Sequence, residues 1–199
     1  MPARTDHDAR RRDVSRAVWR VLATHGFGGL TLRAVAAEMG ASTGLLTHYF
    51  PTKSALIRHA HDIAEDAMAK RRRRTTVHDG LAALREALLD VLSLDEESAA
   101  MNRVWVSFWD PALADPDLRQ AQAERYARWR GRLRPHVAQA QRRGELPASA
   151  EPDDLVATAA AFAHGLVVQA LFAPDAFPPD RQAALLDGFL DALSSPTDA

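Results

Sequence analysis

Ser42, Thr43, Gly44, Thr47, His48 and Tyr49 crowd hydroxyls, an imidazole and a phenol into the short stretch that follows Gly40. Short hydroxyls on the outer side of a helix reach base edges or a thymine methyl, and a glycine among them lets the backbone come close. His48 as a general base would need a carboxylate or a serine motif beside it. Neither stands nearby, so its place on this stretch favours contact with DNA.

A second concentration is aromatic. Met101, Trp105, Phe108 and Trp109 recur at spacings of four, three and one, and Tyr126 and Trp129 follow on a later segment. Two such helices facing each other line a pocket for an apolar or cationic ligand, since tryptophan faces attract quaternary ammonium groups by about 0.5–2 kcal/mol each. The same residues equally make an ordinary core. His164, in an otherwise apolar segment, reads as a core or interface histidine. The histidines of "HAHD", His59 and His61, stand two apart and point to different sides of a helix, so they cannot readily share a metal. No cofactor and no metal site is expected. An enzyme is not expected either: there is no nucleophile beside a base, no paired carboxylates with an apolar pocket and no Glu-x-x-His set, and "DEE" at 95–97 and "EPDD" at 151–154 look like helix starts.

These residues need helices to position them. Runs of β-branched residues with period-two alternation are absent, so the chain reads as all-α, with about nine helices. Val14, Ala17, Val18, Val21 and Leu22 give a first helix its apolar face, and "HGFGG" at 25–29 stops it. Thr31 caps a second helix, on which Leu32, Val35, Ala36 and Met39 keep helical spacing up to Gly40. Ser42 or Thr43 caps a third, with Leu45, Leu46 and Tyr49 on its inner side, ending at Phe50-Pro51. Thr52 caps a fourth, which runs from Lys53 through Ala69 or beyond into "KRRRR" at 70–74. Longer helices follow at about 80–94, about 96–109, from Pro116 to Arg143, at about 153–172 and at 180–193, with "DP" at 115–116 a strong start signal.

A tight turn between two short helices, with a small residue four before the glycine (Ala36) and an apolar one six after it (Leu46), meets the needs of a helix-turn-helix. A plain three-helix bundle is the bland alternative. Charge agrees with the former. Residues 1–74 hold fourteen Lys and Arg against seven Asp and Glu, while residues 75–199 hold eleven against nineteen, inside a net charge of −1. A basic first part suits a polyanion. There is no cysteine, hence no disulfide framework. With no signal-peptide pattern and no run expected to approach a membrane span, a cytoplasmic protein is the simplest expectation.

The run "TLRAVAAEMGASTGLLTHYFPTK", preceded by "GFGGL", resembles the DNA-binding domain of the TetR family of bacterial regulators over roughly residues 10–60, and "TGLLTHYFPTKSAL" is similar to its BetI-like branch, whose named members respond to choline. The resemblance implies a helix-turn-helix domain at 1–55, with helix 4 from about 53 as the link, and a regulatory and dimerisation domain at 56–199. Thr31 and Lys53 begin helices, where a backbone N–H and an ammonium can meet phosphates, and the resemblance places phosphate contacts at both. Tyr49 resembles the family's phosphate-contacting tyrosine, although its ring serves equally as packing. Arg33 either reaches DNA or is a solvated charge.

The last two segments are the most apolar in the chain, and little else is left to cover both, so a homodimer is expected through Leu155, Ala159, Phe162 and Leu166 with Leu185, Leu186 and Phe189. A twofold dimer sets its reading helices in successive major grooves, so the operator is expected to be an inverted repeat of double-stranded DNA. By resemblance, a small-molecule effector between the later helices shifts helix 4 and weakens operator binding. The alternatives are a helical protein-interaction scaffold, or a DNA-binding protein without ligand response.

Overall fold

A computed structural model describes residues 3–72 and 78–194, and every described element is helical. In chain order these are α1 (Ala3–His25), α2 (Leu32–Met39), α3 (Thr43–Tyr49), α4 (Lys53–Arg72), α5 (Gly80–Leu89), α6 (Glu96–Ser107), α7 (Trp109–Ala114), α8 (Pro116–Arg142), α9 (Pro152–Phe172) and α10 (Pro179–Ser194). They form two compact units, one of residues 1–73 with 103–120, the other of residues 74–102 with 121–199. The first therefore takes in α4 and a returning segment that the resemblance assigned to the regulatory part. The run "KRRRR" falls partly outside the described residues.

In the first unit α1 packs on α2 and α4, and α2 on α3. Val14, Val18, Leu22, Leu30, Val35, Leu46, Leu56 and Ala60 are buried, which leaves the polar sides outward. Gly26 follows α1 with φ 62°, a backbone that costs a glycine nothing. The N–H of Phe27, next along, donates to Ser107 Oγ at 3.0 Å, and the Phe27 ring meets Phe108 at 4.7 Å. Arg20 of α1 and Glu38 of α2 form an ion pair. Ser15 of α1 and His59 of α4 share a hydrogen bond of 3.2 Å, whereas His61 turns to the rings of Trp105 and Phe108. The two histidines thus diverge, as their spacing requires.

Two expected helices end earlier than their spacing suggests. The segment at 96–109 breaks at Phe108, because Ser107 Oγ donates to the Val104 carbonyl at 2.7 Å and the Phe108 N–H goes to Trp105 instead. Pro111 then offers no N–H to continue, and α7 starts as a separate short helix, making ten helical segments among the described residues. The segment at 80–94 stops at Leu89, since side chains hold the following strip in an irregular path. Asn102 donates to the Val91 carbonyl at 2.9 Å, while Gln182 accepts from the Ser93 N–H at 3.1 Å and donates to the Ser93 carbonyl at 3.0 Å.

In the second unit α5, α9 and α10 pack on one another, with Leu84, Leu88, Ala163, Leu186 and Leu190 buried. Arg85 and Asp187 join α5 to α10 through two hydrogen bonds of 2.6 and 2.9 Å. These raise the arginine pKa and lower that of the carboxylate. Contrary to expectation, one described helix, α9, is long and apolar enough to cross a membrane. Its buried positions include Val156, Ala160 and Val167, while Ala157, Ala161, Gly165 and Phe172 are exposed.

Candidate nucleic-acid interface

Local capping chemistry sets α2 and α3. Thr31 accepts the Ala34 N–H through Oγ1 at 3.0 Å, and Ser42 accepts the Leu45 N–H at 3.4 Å. Gly40 sits between the two helices in the left-handed region with φ 61°, and its N–H bonds back to the Ala37 carbonyl at 3.1 Å. Ala36 is buried and Leu46 is 0 % exposed, so the small residue and the apolar wedge occupy the places that their spacing called for. Thr52 caps α4 by accepting the Ala55 N–H at 3.1 Å.

Thr31, Arg33, Ser42, Thr43, Gly44, Thr47, His48 and Lys53 are all exposed, and Tyr49 is half-buried with its ring edge-on to His48 at 5.7 Å. A capping hydroxyl accepts a backbone N–H but keeps its own O–H to donate, so Thr31 and Ser42 can cap a helix and still meet a phosphate or a base. Thr47 differs. Its hydroxyl already lies 3.0 Å from the Gly44 carbonyl and 3.2 Å from that of Thr43, and a base must compete with that local bond.

Behind this face α4 is tied to the start of α8. Asp115 caps α8 by accepting the Asp117 N–H at 2.9 Å and also accepts the Ser54 hydroxyl at 2.9 Å, which lowers its pKa with Ser54 as the first cause. Arg58 adds an exposed pair to Asp117 at 3.1 Å. The start signal at "DP" was legible in the sequence; that the same aspartate would hold α4 was not, because Ser54 is remote along the chain.

The aromatic residues group differently within each unit. Trp105 and Phe108 are buried in the first, where His61 meets both rings and Phe27 meets Phe108, and Trp109 is half-buried there. Met101 and Trp129 are buried in the second unit, where the His164 ring lies 4.7 Å from that of Trp129 and 5.0 Å from that of Tyr126. His164 is pushed down to a pKa of about 4, by burial first and then by the positive charges of Arg125 and Arg130. Its partnership with α8 was not foreseen.

The expected dimer residues also divide. Ala159 and Leu186 are each 0 % exposed within the single chain, and Leu155 and Leu166 are buried as well, so they have little surface to offer a second copy. Phe162 and Phe189 stack at 4.1 Å, half-buried, and Leu185 is exposed. The outward sides of α9 and α10 instead carry Ala157, Ala161, Gly165, Phe172, Leu185 and Gly188.

The chain matches the family model of the tetR family of bacterial regulatory proteins over residues 16–60 and that of the BetI-type transcriptional repressor C-terminal domain over residues 80–195. The chain belongs to the TetR family, in its BetI-like branch. Members of this family are regulators of transcription that bind DNA, and they are not enzymes. This TetR-family chain is 28% identical to the HTH-type transcriptional regulator BetI of Burkholderia mallei over 98% of its own length and 99% of that protein. It is 33% identical to the regulator PksA of Bacillus subtilis over 54% of each chain. Among solved structures, a TetR-family regulator from Rhodococcus sp. matches 94% of this chain and 100% of its own with a TM-score of 0.80 at 25% identity. A regulator from Saccharomonospora viridis, solved in complex with choline, shares the fold at a TM-score of 0.80 and 21% identity, over 92% of this chain and 96% of its own.

Proposed function

We propose that this protein is a homodimeric repressor that grips an inverted-repeat operator through α2 and α3 and releases it when a small molecule binds. The carrying observation is the two-sided build of α3, with Leu46 buried beneath it and Thr43, Gly44, Thr47 and His48 exposed above. In this reading Ser42, Thr43, Gly44, Thr47 and His48 meet base edges, while Thr31, Arg33, Tyr49 and Lys53 hold the phosphates. The outward sides of α9 and α10 supply the twofold interface, because small residues there let helices approach closely. The domain division lies near residue 55, with α4 as the link, and the cell compartment is the cytoplasm.

The choline in the Saccharomonospora protein and the BetI-type match to the second half support an effector for this chain too. A ligand releases DNA only by binding the released state better than the DNA-bound one. Met101, Tyr126 and Trp129 of the second unit are the side chains proposed to feel it, while Trp105, Phe108 and Trp109 pack within the first.

The test is fluorescence-anisotropy binding of the purified protein to the DNA upstream of its own gene, across a salt series, with unrelated DNA as control. Selective binding that weakens linearly in log–log form with salt is the expected result. Equal, weak binding to both DNAs, repeated with sequences selected from random pools, would remove the repressor reading.

A further inference from the structure

Two glutamines of the second unit are buried, and they differ in one respect. Gln182 is 1 % exposed and fully engaged: its Nε2 donates to the Ser93 and Phe177 carbonyls at 3.0 and 2.9 Å, and its Oε1 accepts the Ser93 N–H at 3.1 Å. Gln122 is 6 % exposed, and neither its Nε2 nor its Oε1 has a hydrogen-bond partner among the described residues. A buried amide left in this state destabilises a fold, and native proteins seldom keep one without a use for it.

Its position suggests the use. Gln122, Tyr126 and Trp129 stand at i, i+4 and i+7 on α8 and therefore share one side of that helix. Tyr126 and Trp129 are the rings that His164 of α9 meets. An amide followed by two aromatic rings along one helix side gives a donor and an acceptor side by side, next to flat apolar surface. The charges nearby argue against a cationic guest: Arg125 and Arg130 act on His164, and the Arg125 guanidinium lies 5.6 Å from the centre of the Tyr126 ring. One aromatic face is thus already held by a cation.

We infer that Gln122 is the polar anchor of the effector site, and that it selects an uncharged planar ligand carrying an N–H and a C=O side by side, as in a lactam, a cyclic imide or a primary amide. This rests on the reading that the second unit takes an effector, and it deepens that reading by naming the ligand's chemistry. The amide Nε2–H donates to the ligand carbonyl and Oε1 accepts the ligand N–H, so both unsatisfied groups are met at once. A quaternary ammonium meets neither.

The probes are oxindole, an aromatic lactam, its 1-methyl derivative, which lacks the donor, and choline. Calorimetry on the full chain should show oxindole binding about tenfold or more tightly than the 1-methyl compound, a ratio that collapses in Gln122→Met. In the unliganded protein Gln122→Met, which keeps length and removes both polar atoms, should raise the melting temperature by about 3 °C, whereas Gln182→Met should lower it by about 5 °C. A destabilised Gln122→Met protein would show that the amide is already satisfied and overturn the inference. Equal binding of the two lactams would do the same, as would choline binding unchanged in Gln122→Met. The two readings fail separately. If oxindole binds through Gln122 but leaves the operator complex intact, the anchor stands and ligand-driven release falls; if choline alone releases the operator, release stands and the anchor falls.

Discussion

Helices α3 and α8 both carry side chains for which a role is proposed, but they hold them on opposite sides. The seven residues of α3 bury Leu46 and turn their hydroxyls and imidazole to solvent, with caps from Ser42 and the Gly40 turn holding the helix in place. The 27 residues of α8 instead turn Gln122 and Trp129 inward, and many of their charges outward. A surface reader can be altered on its outer side at little cost in stability, because those side chains support nothing beneath them. An inward site cannot, since its residues also belong to the packed interior. The proposed DNA contacts and the proposed ligand contacts therefore differ in how much stability a substitution costs.

Four experiments break or sharpen this contrast, in falling order of effect. Leu46→Ala attacks α3 from its buried side and is expected to cost about 2–5 kcal/mol in urea unfolding, because a fully buried leucine leaves a cavity. Ala161→Arg sets a long charge on the outward side of α9; light scattering should show a monomer, and operator affinity should fall about a hundredfold as the two reading heads lose their linkage. Thr47→Ala and Tyr49→Phe change only the outer side of the reading head. Each is expected to weaken the operator complex by about 1–3 kcal/mol with an unchanged melting curve, and Lys53→Ala should lower the salt slope by about one. Loss of folding in Thr47→Ala would place that hydroxyl on the structural side of the contrast.

A separate experiment concerns pH. His164 has a folded pKa of about 4, below the ordinary 6.5, so the unfolded chain takes up a proton first as the solution is acidified. Its contribution is present above pH 6.5 and is lost as pH falls toward about 4. The urea midpoint of the wild type should drop across that window, and His164→Gln should flatten the drop. A wild-type curve without a slope there would return His164 to a solvated setting.

The reading head was legible in the sequence almost residue by residue. A cap, a glycine turn and a wedge at fixed offsets are short-range demands, met by Thr31, Gly40, Ser42 and Leu46 within one segment, and the basic excess of residues 1–74 needed only counting. The second half was legible as helices but not as faces. Spacing on α9 assigned Leu155, Ala159 and Leu166 to a partner subunit, yet the chain buries all three itself. An apolar stripe announces that it will be covered without naming what covers it.

The sequence by itself determined the all-helical fold, the helix-turn-helix and its family, because caps, turns and helical periodicity act between residues close along the chain. Only the tertiary structure decided that helices at 80–94 and 96–109 end early, that Asp115 holds Ser54, that His164 joins Tyr126 and Trp129, and that Gln182 is satisfied while Gln122 is not. Those outcomes depend on which distant groups arrive beside one another and on which polar atoms packing cuts off from water, and that is settled when the helices close on each other.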